Sequence, residues 1–504
     1  MSLRQAPRVI VVGAGIGGLS AALDLARQGA KVQVLERAAS VGGKLRAVPA
    51  GTVAVDGGPT VFTLRWVFES LLADAGARLD EVLPVQPLSV LARHAWTEGG
   101  QLDLHADLEH SCEAIRQFAG PADADGYRRF CRRSQDIYQT LRGPFIADSR
   151  PSPASLVWRA GPGKLAALWR TAPLRSLWST LQDQFADPRL RQLFGRYATY
   201  VGSSPLLAPA TLMLIAHVEQ QGVWTVQGGM RRIATALQQL GEQHGAQYRC
   251  NSEVARLLLR GQRVAGVQLA SGEQLPSDAV VFNGDTAALA SGLLGSQASR
   301  AVPGTPAARR SLSALTWCVQ AQASGFDLHH HNVFFAADYA DEFQSIFDAG
   351  RICAEPTVYL CAQDRGVAPV APGQPERMLL LVNAPADGDR HDWPEALVQQ
   401  VHDRSQQVLA RCGLQLQTLH STPTTPQQFN ALFPATGGAL YGRANHGPLA
   451  SFDRPGARSR VAGLYLAGGS VHPGAGLPMA TLSGRQAARA VAADLGLTRH
   501  RNSA

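Results

Sequence analysis

A chain of 504 residues with 45% hydrophobic content can bury a large core, and it exceeds one typical domain, so two interleaved domains are expected. Its formal charge of +8 suits an anionic surface, yet no Lys/Arg block of five or more occurs, so nucleic acid is not an expected partner. Seven scattered cysteines without C-x-x-C spacing read as reduced thiols of a cytoplasmic protein, and no apolar run reaches the roughly 18 residues of a spanning helix. The opening MSLRQAP runs straight into a strand pattern and is not expected to be a signal peptide.

Arg8 to Val12 is a β-branched run that predicts a buried parallel strand, and it enters Gly13-Ala14-Gly15-Ile16-Gly17-Gly18, a G-x-G-x-x-G turn. The pattern predicts a helix over Leu19 to Arg27, a stop at Gly29, and a second strand over Lys31 to Leu35 that ends on Glu36. Each part has a physical task. Gly13 permits the tight turn, Gly15 lets backbone approach a pyrophosphate, and Gly18 lets helix and strand pack closely, while the helix N-terminus offers amides to phosphate. Glu36 stands where a carboxylate accepts ribose hydroxyls. A glycine fingerprint alone is weak; strand, turn, helix, strand and acid in this order are specific for dinucleotide binding.

Gly42-Gly43 begins a loop expected to fold over the cofactor, with Lys44 and Arg46 available to phosphate. Val53 to Thr63 starts as a strand and breaks at Gly57-Gly58-Pro59 before Thr60, which brings backbone amides near a ligand. Trp66 to Ala75 reads as a helix. The rhythm then changes, with helical patterning over Leu108 to Phe118 and Asp123 to Leu141, the start of an inserted domain. Between Asp148 and Asp183 no acid occurs, while Arg150, Arg159, Lys164, Arg170 and Arg175 accompany Trp158, Trp169 and Trp178, and Pro162 and Pro173 cut the segment into short helices. Such a pair suits a headgroup layer, as well as an ordinary helix with solvated arginines.

Val223 to Leu237 predicts a strand end, a Gly228-Gly229 turn and an amphipathic helix, followed by a strand over Ala246 to Cys250. Val254 to Leu259, Val264 to Leu269 and Ala279 to Phe282 predict short strands of a β-meander, after which the chain rejoins the parallel sheet. His329-His330-His331 is conspicuous. Adjacent strand residues alternate in direction and no fourth ligand lies nearby, so no metal is expected there. The last informative stretch is Leu464 to Arg489: a strand from Gly463 to Ala467, then Gly468-Gly469, a loop with Pro473, Gly474 and Gly476, and a helix beginning at Leu477-Pro478. Proline fits there because its missing amide would be unpaired anyway.

Several of these motifs carry a resemblance. The opening fingerprint, Gly42-Gly43-Lys44, DGGPTVFT with RWVFESLL, LFGRYATYVGSSPLLAPATLMLIAHVEQQGVW (193–224), FPATGGALYG (433–442) and the C-terminal motif resemble the bacterial carotenoid desaturases of the phytoene desaturase family. The wording is most similar to the 1-hydroxycarotenoid 3,4-desaturases, also called methoxyneurosporene dehydrogenases, over essentially the whole chain.

The resemblance implies an α/β fold: a Rossmann-like FAD-binding domain of the two-dinucleotide-binding flavoprotein type with an inserted mixed α+β substrate domain. The FAD domain would comprise 1–95, 223–290 and 445–504, and the substrate domain 96–222 and 291–444, with 150–182 touching the membrane. FAD would be held by Gly13, Ala14, Gly15, Gly17, Gly18, Glu36, Gly43, Lys44, Gly58, Pro59, Thr60, Val254, Gly468, Gly469, Gly476, Leu477 and Pro478. Val254 would meet adenine through backbone, and the helix starting at Leu477 would face the flavin pyrimidine, where its N-terminal field stabilises a reduced, anionic ring.

The implied reaction is desaturation of an acyclic carotenoid, most specifically 3,4-desaturation of a 1-hydroxycarotenoid, by a cytoplasmic enzyme attached peripherally to the membrane that dissolves its substrate. His331-Asn332-Val333-Phe334-Phe335 also resembles that subgroup and reads as a strand of the substrate domain, where a histidine would either hydrogen-bond a hydroxylated end group or be an ordinary core or surface histidine. Glu219 and His217 are the candidate bases, with His446 and His472 near the C-terminal motif. The electron acceptor is not identified. Alternatives are a phytoene or neurosporene desaturase, a flavin amine oxidase, and a non-catalytic prenyl-protein binding module; intact glycines and Glu36 argue against the last.

Overall fold

The computed structural model describes residues 5–149, 152–161, 174–366, 370–371 and 373–497. Its organising layer is a parallel five-stranded sheet in the order Leu464–Leu466, Ala279–Phe282, Arg8–Val12, Lys31–Leu35, Gln247–Arg249. Strand side chains alternate between faces. Val9 and Val11 therefore enter a core built with the helices Ile16–Ala26, Arg232–Gln243 and Leu477–Leu495. Ile10 and Val12 enter a second core beneath a three-stranded meander of Val254–Arg260, Arg263–Leu269 and Gln274–Pro276. The third meander strand is thus Gln274–Pro276. Ala279–Phe282, buried at all four positions, lies inside the parallel sheet beside the first strand.

The second domain is built on a mixed seven-stranded sheet, ordered Gln415–Thr424, Ser313–Ser324, Glu376–Ala384, Val358–Ala362, His331–Phe335, Val90–Trp96, Gln101–His105. Because Val90–Trp96 pairs with His331–Phe335, this sheet takes up the chain before residue 95. The helices Leu108–Ala119, Pro121–Leu141, Leu177–Gln184 and Pro188–Gly195 share a core with this sheet's Trp96, Leu104 and Phe335, in which Phe130, Phe185 and Phe194 are fully buried. Helix ends were legible to within a few residues: Arg65–Asp74 and Leu108–Ala119 both lie within three residues of expectation.

The basic, tryptophan-bearing stretch divides. Arg150, Lys164, Trp169, Arg170, Pro162 and Pro173 lie outside the described residues. Within them, Trp158 is exposed, whereas Trp178 is half-buried against Tyr339 with ring centroids 6.2 Å apart, and Arg175 is paired with Asp183 at 2.5 Å. Trp178 is therefore a packing residue rather than a surface anchor. No helix among the described residues is long and apolar enough to cross a membrane.

Candidate functional site

The two glycine-rich turns, from opposite ends of the chain, meet. A Cβ on Gly17 would fall 2.6 Å from Asn283 Oδ1 and 2.9 Å from the Gly468 amide nitrogen, so only hydrogen fits there. A Cβ on Gly18 would lie 2.1 Å from the Gly13 carbonyl oxygen, the close helix–strand approach expected of that position. Asn283, at the end of the adjoining strand, donates from Nδ2 to the Gly13 carbonyl at 3.2 Å and ties both turns together. Nothing in the sequence pattern marked it.

Both turns open into one cavity of about 1270 Å³, lined by Gly13, Gly15, Gly17, Gly468, Gly469 and Gly476 among others. Leu477, Pro478, Gly43, Gly58, Pro59, Thr60 and Val254 line it too. Ala14 and Gly18 do not. They act from behind, Gly18 by closeness and Ala14 by donating its amide to Glu36 Oε2 at 2.7 Å. The Glu36 Oε1 atom accepts from the Ala38 amide at 2.8 Å, so two backbone donors fix this carboxylate at the cavity edge with lone pairs left for a ribose.

The helices Ile16–Ala26 and Leu477–Leu495 both begin at glycines, Gly15 and Gly476, without a side-chain cap, which leaves their N-terminal amides turned to the cavity. A glycine cradle, two uncapped helix starts and an oriented acid are the donor set a dinucleotide needs, so the residues present fit FAD.

Lys44 and Arg46 line the cavity as well, and each also reaches a distant part of the chain. The Lys44 ammonium donates to the Leu440 carbonyl and lies 5.1 Å from the Phe433 ring centroid, so it braces the 433–442 loop; burial pulls it below the ordinary lysine range. Arg46 likewise donates to Thr424 Oγ1 at 3.0 Å. Arg454 was not foreseen. It donates to the carbonyls of Tyr441, Gly469 and Arg443 at 2.8 to 3.0 Å, holding the loop against the C-terminal turn, and burial lowers it to about 10.

Beyond these turns the cavity becomes apolar, walled by Leu141, Leu156, Leu212, Ile215, Val333 and Leu381. Glu219 interrupts that wall. The short helix Leu214–Gln220 turns Ile215, Val218 and Glu219 inward, and Glu219 accepts from Tyr197 Oη at 2.8 Å and Tyr200 Oη at 2.5 Å. Arg196 lies over the Tyr200 ring at 4.9 Å. Burial opposes its charge, yet Tyr200 and Glu219 more than offset this and hold the guanidinium above its ordinary pKa.

His217, on the opposite face of that helix, packs its ring 5.1 Å from Tyr138 and does not line the cavity. Neither do His446, whose Nε2 accepts from the Ser204 amide at 2.9 Å, nor His472, whose Nε2 donates to the Phe145 carbonyl at 2.9 Å. Of the four acid–base candidates, only Glu219 reaches it.

The histidine triplet separates into three environments. His329 lies 3.6 Å from Asp103; His330 Nδ1 donates to the Arg365 carbonyl at 2.7 Å; His331 is buried with Nδ1 2.8 Å from Tyr359 Oη. His331 pairs across the sheet with Cys361, which brings the donor atoms of His330, His331 and Cys361 within 4.8 Å of one another, a proximity that sequence spacing does not reveal.

A Rossmann-like sheet whose two glycine turns share one deep cavity defines a dinucleotide-dependent oxidoreductase. The chain matches the flavin containing amine oxidoreductase family over residues 16–492 and belongs to it, which makes it an FAD enzyme. It is 51% identical to a hydroxyneurosporene desaturase of Rubrivivax gelatinosus, over 97% of this chain and 94% of that one, and 45% identical to a protein of the same name from Cereibacter sphaeroides, over 97% and 98%. A 1-hydroxycarotenoid 3,4-desaturase of a Flavobacterium is 30% identical over 95% and 97%. Within the flavin family, then, the chain belongs to the carotenoid desaturases. Among solved structures, putrescine oxidase bound to putrescine superposes with a TM-score of 0.61 at 15% identity, over 98% of this chain and 99% of that one, a likeness of fold alone.

Proposed function

We propose that this enzyme introduces a double bond into an acyclic carotenoid with FAD as oxidant, and that its substrate is a 1-hydroxycarotenoid desaturated at C3–C4. The observation that carries this is the single cavity, polar where the two glycine turns meet and apolar beyond them, in a chain half identical to a hydroxyneurosporene desaturase.

Bound FAD would supply the two-electron oxidising power for loss of a hydride from the substrate carbon. The residues supply the rest. Gly13, Gly15 and Glu36 hold the adenosine diphosphate portion, and the uncapped helix start at Gly476 to Pro478 presents positive potential to the ring end. The apolar wall excludes water and aligns the polyene, so the reacting bond arrives oriented. Removing two hydrogens from adjacent carbons also releases a proton, and Glu219, the carboxylate set in the apolar wall, is placed to accept it. Its bonds to Tyr197 and Tyr200 fix the carboxylate's direction and put negative charge beside a polyene that becomes electron-poor as hydride leaves.

Access to a lipid-dissolved substrate is supported by the rim. Leu174 and Leu449 line the cavity yet are 69% and 58% exposed, and Leu207 and Trp158 are 52% and 82% exposed. This apolar rim docks on the membrane surface, so the carotenoid enters without crossing water. The test is incubation of the FAD-loaded protein with phytoene, neurosporene and 1-hydroxyneurosporene in liposomes, followed by chromatography. Conversion of the hydroxylated carotenoid to a product two hydrogens lighter is expected; conversion of phytoene alone would overturn the substrate assignment.

A further inference from the structure

The cavity wall carries more polar atoms than a hydrocarbon would satisfy. Tyr359 projects into it from Val358–Ala362, with its hydroxyl 2.7 Å from Thr60 Oγ1 and 2.8 Å from His331 Nδ1. Behind it, His331 is 3% exposed and its Nε2 has no hydrogen-bond partner among the described residues. Thr316 and Tyr339 line the same cavity, and their buried hydroxyl oxygens also lack partners among the described residues. Buried polar groups are ordinarily hydrogen-bonded, so unmatched atoms in and behind this cavity's lining point to a ligand that brings its own polar atom.

Position narrows that ligand. Thr60 closes the Gly57-Gly58-Pro59 break, and a Cβ on Gly58 would lie 1.8 Å from the Lys44 carbonyl oxygen, while one on Gly43 would lie 3.1 Å from Gly15 Cα. The break is thus packed on the loop that covers the first glycine turn, at the cofactor end of the cavity. In a carotenoid hydroxylated at C1 and oxidised at C3–C4, the oxygen is only three bonds from C3. The group that recognises this alcohol must therefore share the cofactor's part of the cavity, and Thr60 and Tyr359 line the same cavity as the uncapped helix start at Gly476 to Pro478 that would face the ring.

We propose that Thr60, Tyr359 and His331 form a hydroxyl subsite that anchors the alcohol end of the substrate and so selects which carbon–carbon bond is presented. This rests on the desaturase reading above. The hydrogen-bond inventory closes. Tyr359 Oη donates to His331 Nδ1, one of its lone pairs accepts from Thr60, and the other is left for the substrate O–H. Burial holds His331 well below the usual imidazole range, so the ring is neutral, and with its proton on Nε2 the Nδ1 atom accepts from Tyr359. An analogue without the hydroxyl leaves this set unmatched, and a site built to bond a hydroxyl discriminates strongly against its absence.

The test uses the FAD-loaded full chain with 1-hydroxyneurosporene and neurosporene, read by equilibrium quenching of flavin fluorescence and by competitive turnover. Wild type should bind the hydroxylated carotenoid at least about tenfold more tightly. Tyr359→Phe and Thr60→Val should abolish that ratio, and Thr60→Ser, which restores a hydroxyl, should keep it. An unchanged ratio in both Tyr359→Phe and Thr60→Val, or equal binding of the two carotenoids by wild type, would overturn the subsite. Wild type that binds selectively but desaturates neither carotenoid would overturn the desaturase reading instead, so the two failures are distinct.

Discussion

Gly17 and Gly484 touch so closely that a Cβ added at Gly484 would lie 2.0 Å from the Gly17 carbonyl oxygen. This contact joins the first helix of the chain to the last and thereby sets the distance between the two glycine turns. Gly484→Ala should push the helices apart, destabilise the protein by about 1–3 kcal/mol as an overpacked core does, and weaken retention of FAD. Thermal unfolding and flavin absorbance after gel filtration measure both effects. Gly143→Ala, where nothing lies within 4 Å of the added carbon, is the control and should change neither.

Glu219→Gln keeps the shape of the side chain but removes the charge that Tyr197 and Tyr200 both address. Proton transfer to a positioned side chain is worth about 10²–10⁴ in rate. Single-turnover reduction of the flavin by carotenoid should slow by about two orders of magnitude while FAD content stays at wild-type level. A rate within twofold of wild type would remove Glu219 from the mechanism.

The first of these contacts was half legible. Gly17 stands in a fingerprint whose spacing states its purpose, and the strand, helix and acid around it followed from local pattern alone. Gly484 lies in a helix where a lone glycine is unremarkable, and only the crossing of two helices gives it a reason. The same division recurs at the cavity. Glu219 was visible as an acid in an apolar stretch, but Tyr197, Tyr200 and Arg196 meet it only because a two-turn helix and a tight 3₁₀ segment fold back together. Lys44 divides the same way: its place beside a glycine loop at the cavity was visible, but the carbonyl some 400 residues away that takes one of its protons was not. Periodicity records local geometry, and partners of high sequence separation leave no mark in it.

Acid should destabilise the fold through histidines the reaction does not use. Burial lowers His446 and His472 to about 4 from the ordinary 6.5. The unfolded chain therefore takes up their protons first, so stability is full above about pH 6.5, falls as pH drops toward 4, and levels off below. Each contributes at most about 1.4 kcal/mol per pH unit in that window. Urea midpoints at pH 7.5, 6.0 and 5.0 should fall in that order. His446→Gln, which keeps an acceptor for the Ser204 amide, should show a shallower slope.

Arg485 is a buried clasp between the chain's two ends. It donates from Nε to Asp24 at 3.0 Å and from a terminal nitrogen to Ser70 at 2.9 Å, and it pairs with Asp74, with only 5% of its side chain exposed. Arg485→Met removes the charge and leaves Asp24, 3% exposed, with Arg27 alone. Breaking a buried pair from one side costs about 3–5 kcal/mol, which urea unfolding would register as a large drop in midpoint at constant slope.

The apolar rim yields the last prediction, because two forces hold such a surface to a bilayer and salt separates them. Attraction of a +8 chain to anionic lipid is screened within about 10 Å at 0.1 M salt, whereas burial of Trp158, Leu207 and Leu449 is not. Full burial of one such side chain is worth about 1.5–3 kcal/mol, roughly tenfold or more in partitioning. Flotation with liposomes containing anionic lipid should therefore retain the wild-type protein at 0.5 M salt, while Trp158→Asp combined with Leu449→Asp should leave it in the soluble fraction. Because Leu449 also lines the cavity, that double variant should lose turnover of liposome-dissolved carotenoid and keep its FAD. Wild-type protein released entirely by salt would show that charge, not the rim, makes the contact.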